Sequence, residues 1–199
     1  MSNNWFVSDW HLGIDNFTSE PFLARPFSSK EEHVDVLIKE HNKLVKKDDT
    51  VYVIGDVIDE DANSNEYLKI INEFNGEKIL IRGNHDIKIT DEQFKPYFKH
   101  IVKFKSGIFV SDENYIFYLT HYPTQTKLNF FNLVGHVHLT WRYQLNMLNV
   151  GVDVNNFKPH SWESIKFHYN FISTTTNKSA FAAYLEENSY YSNRIFKNE

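Results

Sequence analysis

The chain has no cysteine among its 199 residues, which excludes disulfides, thiolate zinc sites and a cysteine nucleophile and suits a reducing compartment. Any metal must then be held by His, Asp, Glu or Asn. No apolar run approaches 18 residues, the length at which a membrane-spanning helix becomes credible. The N-terminus lacks the charged and apolar regions of a signal peptide, and its first residues already read as a strand. The expected location is therefore the cytoplasm, with no membrane partner. Positive charge is not in excess either: 21 Lys and Arg against 26 Asp and Glu give a net charge of -5. The surface as a whole does not advertise a long polyanion as its partner. What is present is 41% hydrophobic and 16% aromatic content, enough for one domain with a real core.

The first strand, "NWFVSD", runs into a loop punctuated by Pro and Ser. In "SSKEEHVDVLIKEHNKLVKK" the spacing of Ser29 and Glu32 predicts a capped helix, with Val34, Leu37, Ile38, His41, Leu44 and Val45 on one face. "DTVYVIGD" then reads as a strand, "NEYLKIINEF" as a helix and "EKILIRGNHD" as a third strand. This β-α-β-α-β order predicts a parallel sheet with right-handed crossovers. Beyond it the strands "HIVKFKSGIFV", "NYIFYLTHYP", "FFNLVGHVH" and "NMLNVGVDVN" follow one another with little helix between them. They predict a mixed or second sheet packed on the first. "SWESIKFHYNF" reads as a last short core helix capped by Ser161. The division that follows is a domain over 1–168 and a C-terminal extension over 169–199, with one amphipathic helix around Ala180 to Glu187.

Five polar clusters share one placement. "SDWH", "GDVID", "GNHD", "THYP" and "GHVH" each follow an apolar run that reads as a strand. Side chains at the carboxyl ends of strands in an α/β sheet converge on a common crevice. Together the clusters supply Asp9, His11, Asp56, Asn84, His85, His121, His136 and His138, an oxygen and imidazole inventory suited to Mn, Fe, Zn, Co or Ni. That is too many ligands for one ion. Two ions about 3.5–4 Å apart that share a carboxylate and a water would use them, an arrangement that catalyses in-line displacement at phosphorus. Metal-assisted phosphoester hydrolysis is the chemistry these residues suggest.

The ordered set DxH, GDxxD, GNHD, a His before Tyr-Pro, and GHxH resembles the calcineurin-like metallophosphoesterases, over about Asn4 to Lys166. The resemblance implies an α/β fold, a two-sheet β-sandwich flanked by helices, with a dinuclear site at one edge. Position by position it assigns Asp9, His11 and His138 to the first metal, Asn84, His121 and His136 to the second, and Asp56 as the bridge. Two divalent cations, Mn first and Fe, Zn, Ni or Co as alternatives, would lower the pKa of a shared water so that a hydroxide attacks phosphorus in line. His85 resembles the family's histidine that gives a proton to the departing alkoxide. Asp59 matches a carboxylate that in some relatives orients this imidazole, with Asp86 the competing candidate.

The protein Ser/Thr phosphatases of the superfamily carry Asp-Arg-Gly after the bridging aspartate and Glu in the GNH motif. "GDVIDED" and "GNHD" depart from both, which disfavours a phosphoprotein substrate. "RPFSSKEEHVDVLI" and "NVGVDVNNFKPHSWESI" resemble a small bacterial and phage branch of the superfamily. Arg25 is the candidate cation for a substrate phosphate, and Trp10, between two ligands, the candidate stacking surface for a base. The expected activity is a phosphodiesterase on a small nucleotide, with a phosphomonoesterase as the alternative. A non-catalytic scaffold and a nuclease rank lower. His41, on an apolar helix face, reads as a core histidine, and Arg82 as a strand-end structural residue.

Overall fold

The computed structural model describes residues 3–17 and 23–175. Four parallel strands, β1 (Asn4–Val7), β2 (Thr50–Val53), β3 (Glu77–Ile81) and β4 (His100–Val102), form one sheet in chain order. A second sheet takes β5 (Gly107–Ser111), β6 (Ile116–Thr120), β7 (Phe131–Val134), β8 (Tyr143–Gln144) and β9 (Met147–Asn149), in the spatial order β5-β6-β7-β9-β8. Within it β6, β7 and β9 run parallel to one another. A short β10 (His160–Ser161) returns to the first sheet and pairs antiparallel with β1. Helices α1 (Lys30–Asn42) and α2 (Ser64–Ile70) cross over between the parallel strands, α3 (Asp91–Phe94) precedes β4, and α4 (Trp162–Thr175) follows β10. Two sheets flanked by helices are the architecture the resemblance implied.

The layers follow from the alternation of strand side chains. On β1, Phe6 enters the core between the two sheets while Val7 enters the core under the helices; on β2, Val51 and Val53 face the helices. Leu37 of α1 and Leu68 of α2 close the helix-side core, and Phe117, Leu119 and Leu133 fill the space between the sheets. Each such side chain, fully buried, contributes about 1.5–3 kcal/mol. Ser29 caps α1 by accepting from the Glu32 amide at 3.1 Å. His41 is 1% exposed and donates from Nε2 to the Asn75 carbonyl at 2.9 Å, while its Nδ1 is buried without a hydrogen-bond partner, a core histidine held by one bond.

Two local expectations meet a different outcome. "HIVKFKSGIFV" is two strands in two sheets. Lys105 takes a left-handed φ of 61° and the Ser106 amide closes a turn on the Lys103 carbonyl, so the chain leaves the first sheet after β4 and enters the second at β5. The last helix is longer than expected, running to Thr175, so the division at 168/169 falls inside α4. The amphipathic segment around Ala180 to Glu187 lies outside the described residues. Among the described residues no helix is long and apolar enough to cross a membrane.

Candidate metal centre

Register brings the motifs together. Val7 pairs with Val53 and Val53 with Leu80, so the chain emerges from β1, β2 and β3 side by side into Ser8–His11, Ile54–Asp59 and Arg82–Asp86. The parallel strands of the second sheet end at the same edge, because Ser8 bridges to Gly151 just past β9. His121 and His136 follow β6 and β7 there, and the Gly135 amide donates to the His121 carbonyl.

Turning so many side chains into one space requires unusual backbone. Among the described residues nine non-glycine residues have positive φ, and five of them are Asp9 (63°), His11 (47°), Asp56 (55°), His136 (74°) and His138 (44°). Such residues each cost about 1–3 kcal/mol and persist where surrounding structure over-determines them, typically at functional sites. The glycines of the motifs have the complementary task of close approach. A Cβ on Gly83 would collide with the Asp56 carboxylate, and one on Gly135 with the Ser8 hydroxyl.

Three groups of ligand atoms come within 4.8 Å of one another: Asp9, His11 and His138; Asp56, His121 and His136; and His11, Asp59 and His85. The first two correspond to the two metal sets drawn from the sequence. Asn84 joins the second, its Oδ1 lying 3.2 Å from His121 Nε2. Asp56 Oδ2 stands between the sets, 3.6 Å from His11 Nε2 and 3.2 Å from His121 Nε2. Asp9 accepts from the His136 amide at 3.0 Å, joining the ends of β1 and β7.

The donor set suits divalent cations. His121 turns Nδ1 to the Ile54 carbonyl at 2.8 Å, His138 turns Nδ1 to Asp153 Oδ2 at 2.8 Å, and His11 turns Nδ1 to Asp59 Oδ2 at 3.3 Å. With those acceptors the Nδ1 protons are fixed and each ring offers Nε2, the outer-layer arrangement of metal-ligating histidines. His11 Nε2 is buried with no hydrogen-bond partner and faces Asp56. His121 Nε2 faces two oxygens at once, a geometry that only a proton or a cation satisfies. Burial, the largest single influence, pushes its imidazole down, but the charge and hydrogen bond of Asp56, the Asp9 charge and the Ile54 carbonyl together outweigh it and raise the ring to about 9. His11 moves the other way, lowered by burial. Burial alone would raise Asp56, yet His121 and His11 hold it well below the usual carboxylate range.

His85 lies on the open side, its side chain 23% exposed and its ring 4.5 Å from that of His11. Its Nδ1 meets the Glu60 amide at 3.3 Å and Asp59 Oδ2 at 3.7 Å. Asp86, the competing partner, is elsewhere: it is fully buried and accepts from the amides of Val57, Asp56 and Gly83 at 2.8–2.9 Å. It ties the Asp56 loop to the Asn84 loop. Arg82 braces the same turn through Asp91 and the carbonyls of Asp86 and Ile89.

Two expected substrate contacts are corrected. Trp10 is 1% exposed and stacks on Phe74 with ring centroids 4.2 Å apart; lying between two residues that face the site, it points the other way, into the helix-side core. The Arg25 side chain is 0% exposed and paired with Asp153, so it cannot meet a substrate phosphate. Sequence reading missed Asp153. The signal was present, since "NVGVD" ends an apolar run with Gly-Val-Asp just as the other clusters end theirs.

A family model described as calcineurin-like phosphoesterase matches residues 4–190. The chain is 31% identical over 176 residues to the uncharacterized protein MJ1445 of Methanocaldococcus jannaschii, covering 83% of this chain and 90% of that one. It is 39% identical over 87 residues to the gene 66 protein of Mycobacterium phage L5, covering 43% and 41% of the two chains. The crystal structure of AQ665, a protein of unknown function from Aquifex aeolicus, superimposes with a TM-score of 0.61 at 26% identity, covering 83% of this chain and 98% of that one.

Proposed function

The chain belongs to the calcineurin-like phosphoesterase family, and on that premise we propose that it is a metal-dependent phosphodiesterase acting on a small nucleotide or related ester. The observation that carries the reading is one carboxylate, Asp56, standing between two ligand groups at the edge where six strands end. Asp9, His11 and His138 would hold one cation, and Asn84, His121 and His136 the other, with Asp56 shared. Two such divalent ions, manganese first, supply charge neutralisation at phosphoryl oxygens and a water acidic enough to act as nucleophile near neutral pH.

The protein's own acid is His85. The Glu60 amide donates to its Nδ1, which places the ring proton on Nε2 for the departing alkoxide. Asp59, with Oδ2 3.7 Å from Nδ1, is the carboxylate that would orient the ring. Among the described residues no inserted domain separates the motif-bearing strands, which leaves room for the two substituents of a diester. With Trp10 in the core, the support for a base passes to Tyr122. This half-buried ring packs 4.5 Å from that of His136 and 5.9 Å from that of Phe104, so a nucleobase could stack beside the metals. A chain without cysteine is in keeping with a reducing compartment, and a cytoplasmic setting is part of the proposal.

The test is hydrolysis of bis(p-nitrophenyl) phosphate against p-nitrophenyl phosphate by metal-stripped protein reloaded with Mn²⁺. Preference for the diester supports the reading. Preference for the monoester replaces it with a phosphomonoesterase, and silence on both and on nucleotide diesters, with metal bound, leaves a non-catalytic scaffold.

A further inference from the structure

The most completely engaged charged side chain outside the ligands is Arg25. Its Nε donates to Asp153 Oδ1 at 2.8 Å, and its Nη2 to Asp153 Oδ2 at 3.1 Å and the Asp9 carbonyl at 2.6 Å. Its Nη1 reaches the Trp10 carbonyl at 2.9 Å and His33 Nε2 at 2.8 Å. Asp153 in turn accepts from His138 Nδ1 at 2.8 Å. One buried ion pair therefore grips the backbone that carries Asp9 and His11 and the side chain of His138. None of these contacts reaches Asn84, His121 or His136.

Fold stability does not account for such a pair, because a well-packed apolar pair in its place is often as stable or more so. The backbone it grips explains it better. Asp9 and His11 are both left-handed, and the carbonyls of Asp9 and Trp10, in that same strained turn, are the ones Arg25 holds. The geometry points to Arg25 and Asp153 as positioning residues for one half of the metal centre only. Arg25 fixes the strained Asp9–His11 turn, and Asp153 fixes the His138 ring with Nε2 toward Asp9 and His11. Neither residue contacts Asn84, His121 or His136; the braced turn meets that half-site through the Asp9 carboxylate, which accepts from the His136 amide, and through the shared Asp56. This rests on the dinuclear reading above and adds that Arg25 and Asp153 brace one half-site directly and the other only through those links.

The experiment is titration of the metal-free full chain with Mn²⁺, followed by calorimetry and by electron paramagnetic resonance. Wild type is compared with Asp153→Asn and with the double variant Arg25→Met/Asp153→Asn. Wild type is expected to take up two Mn²⁺ and show a spin-coupled pair. Both variants should keep one site at wild-type affinity and lose about 10–100-fold at the other, the usual cost of removing an outer-layer partner; the coupled signal should give way to that of isolated Mn²⁺. The metal-free double variant should still fold cooperatively but melt below wild type, since both buried charges leave together while the Asp9 and Trp10 carbonyls lose their donor. Equal weakening of both sites, or of neither, overturns the inference while leaving the dinuclear reading intact. A double variant that cannot fold makes the pair a structural brace and also overturns it. Failure of wild type to bind two ions removes the dinuclear reading and this inference together.

Discussion

Asp86→Asn should lower stability by about 2–4 kcal/mol without replacing any residue that would hold metal or substrate, a figure that rests on three hydrogen bonds. Asp86 is 0% exposed; Oδ1 accepts from the Val57 amide at 2.9 Å, and Oδ2 from the Asp56 and Gly83 amides at 2.9 and 2.8 Å. An asparagine must place its NH₂ against at least one of these donors. The cheaper orientation orphans the Val57 amide, costing about 1–3 kcal/mol, and the two remaining bonds lose their charge assistance, about 1 kcal/mol each. Part of this is offset, because burial and the neighbouring Asp56 carboxylate push the Asp86 carboxyl upward, and the amide removes that charge. For a chain of this size 1 kcal/mol moves the melting temperature by about 2–4 °C, so a fall of about 5–15 °C is expected. The assay is thermal unfolding followed by circular dichroism in EDTA, where metal binding contributes nothing. Mn²⁺ uptake should weaken as well, because the Asp56 amide is one of the three donors. Asp59→Asn, which breaks no amide contact to the Asp56 loop, should melt within about 2–3 °C of wild type. A melting temperature for Asp86→Asn within about 2 °C of wild type would refute this account of the loop.

His85→Ala should retain both Mn²⁺ and lose most activity on substrates with poor leaving groups, least on nitrophenyl esters; equal losses on the two classes would reject the acid role. Trp10→Ala should cost about 3–5 kcal/mol in urea unfolding, whereas Tyr122→Ala should leave stability nearly unchanged and raise KM for nucleotide diesters but not for bis(p-nitrophenyl) phosphate. An unaltered nucleotide KM would dispose of the stacking role. His41 is held neutral in the fold, its pKa lowered from 6.5 to about 4 chiefly by burial. Below pH 6.5 the unfolded chain binds a proton that the native protein refuses, so this contribution to stability is complete above pH 6.5 and lost as pH falls toward 4, about 3 kcal/mol in all. His41→Gln keeps a donor for the Asn75 carbonyl without titrating, so its urea midpoint should fall less than that of wild type between pH 7 and 5. Parallel declines would count against this role of His41.

Much of the site was legible because its signals are local. The α1 cap at Ser29, the buried face carrying His41 and the ligand types at strand ends each depend on residues within one or two turns of each other. The choice between Asp59 and Asp86 was not local. Both follow a ligand motif at short spacing, and only the fold shows Asp86 spent on the amides of two loops while Asp59 stands beside His11 and His85. "HIVKFKSGIFV" misled for a related reason: an apolar run does not say to which sheet each half belongs, and a single left-handed Lys105 decides it.

By itself the sequence determined the family, the order of the strands and the inventory of candidate ligands, since these are written in periodicity and in motifs that recur at strand ends. The tertiary structure alone decided which way Trp10 faces, what Arg25 binds and which of Asp59 and Asp86 stands beside His85. Those outcomes depend on partners far away in the chain, Asp153 being 128 residues from Arg25, and on left-handed backbone at five candidate ligand positions that only the packed surroundings can hold in place.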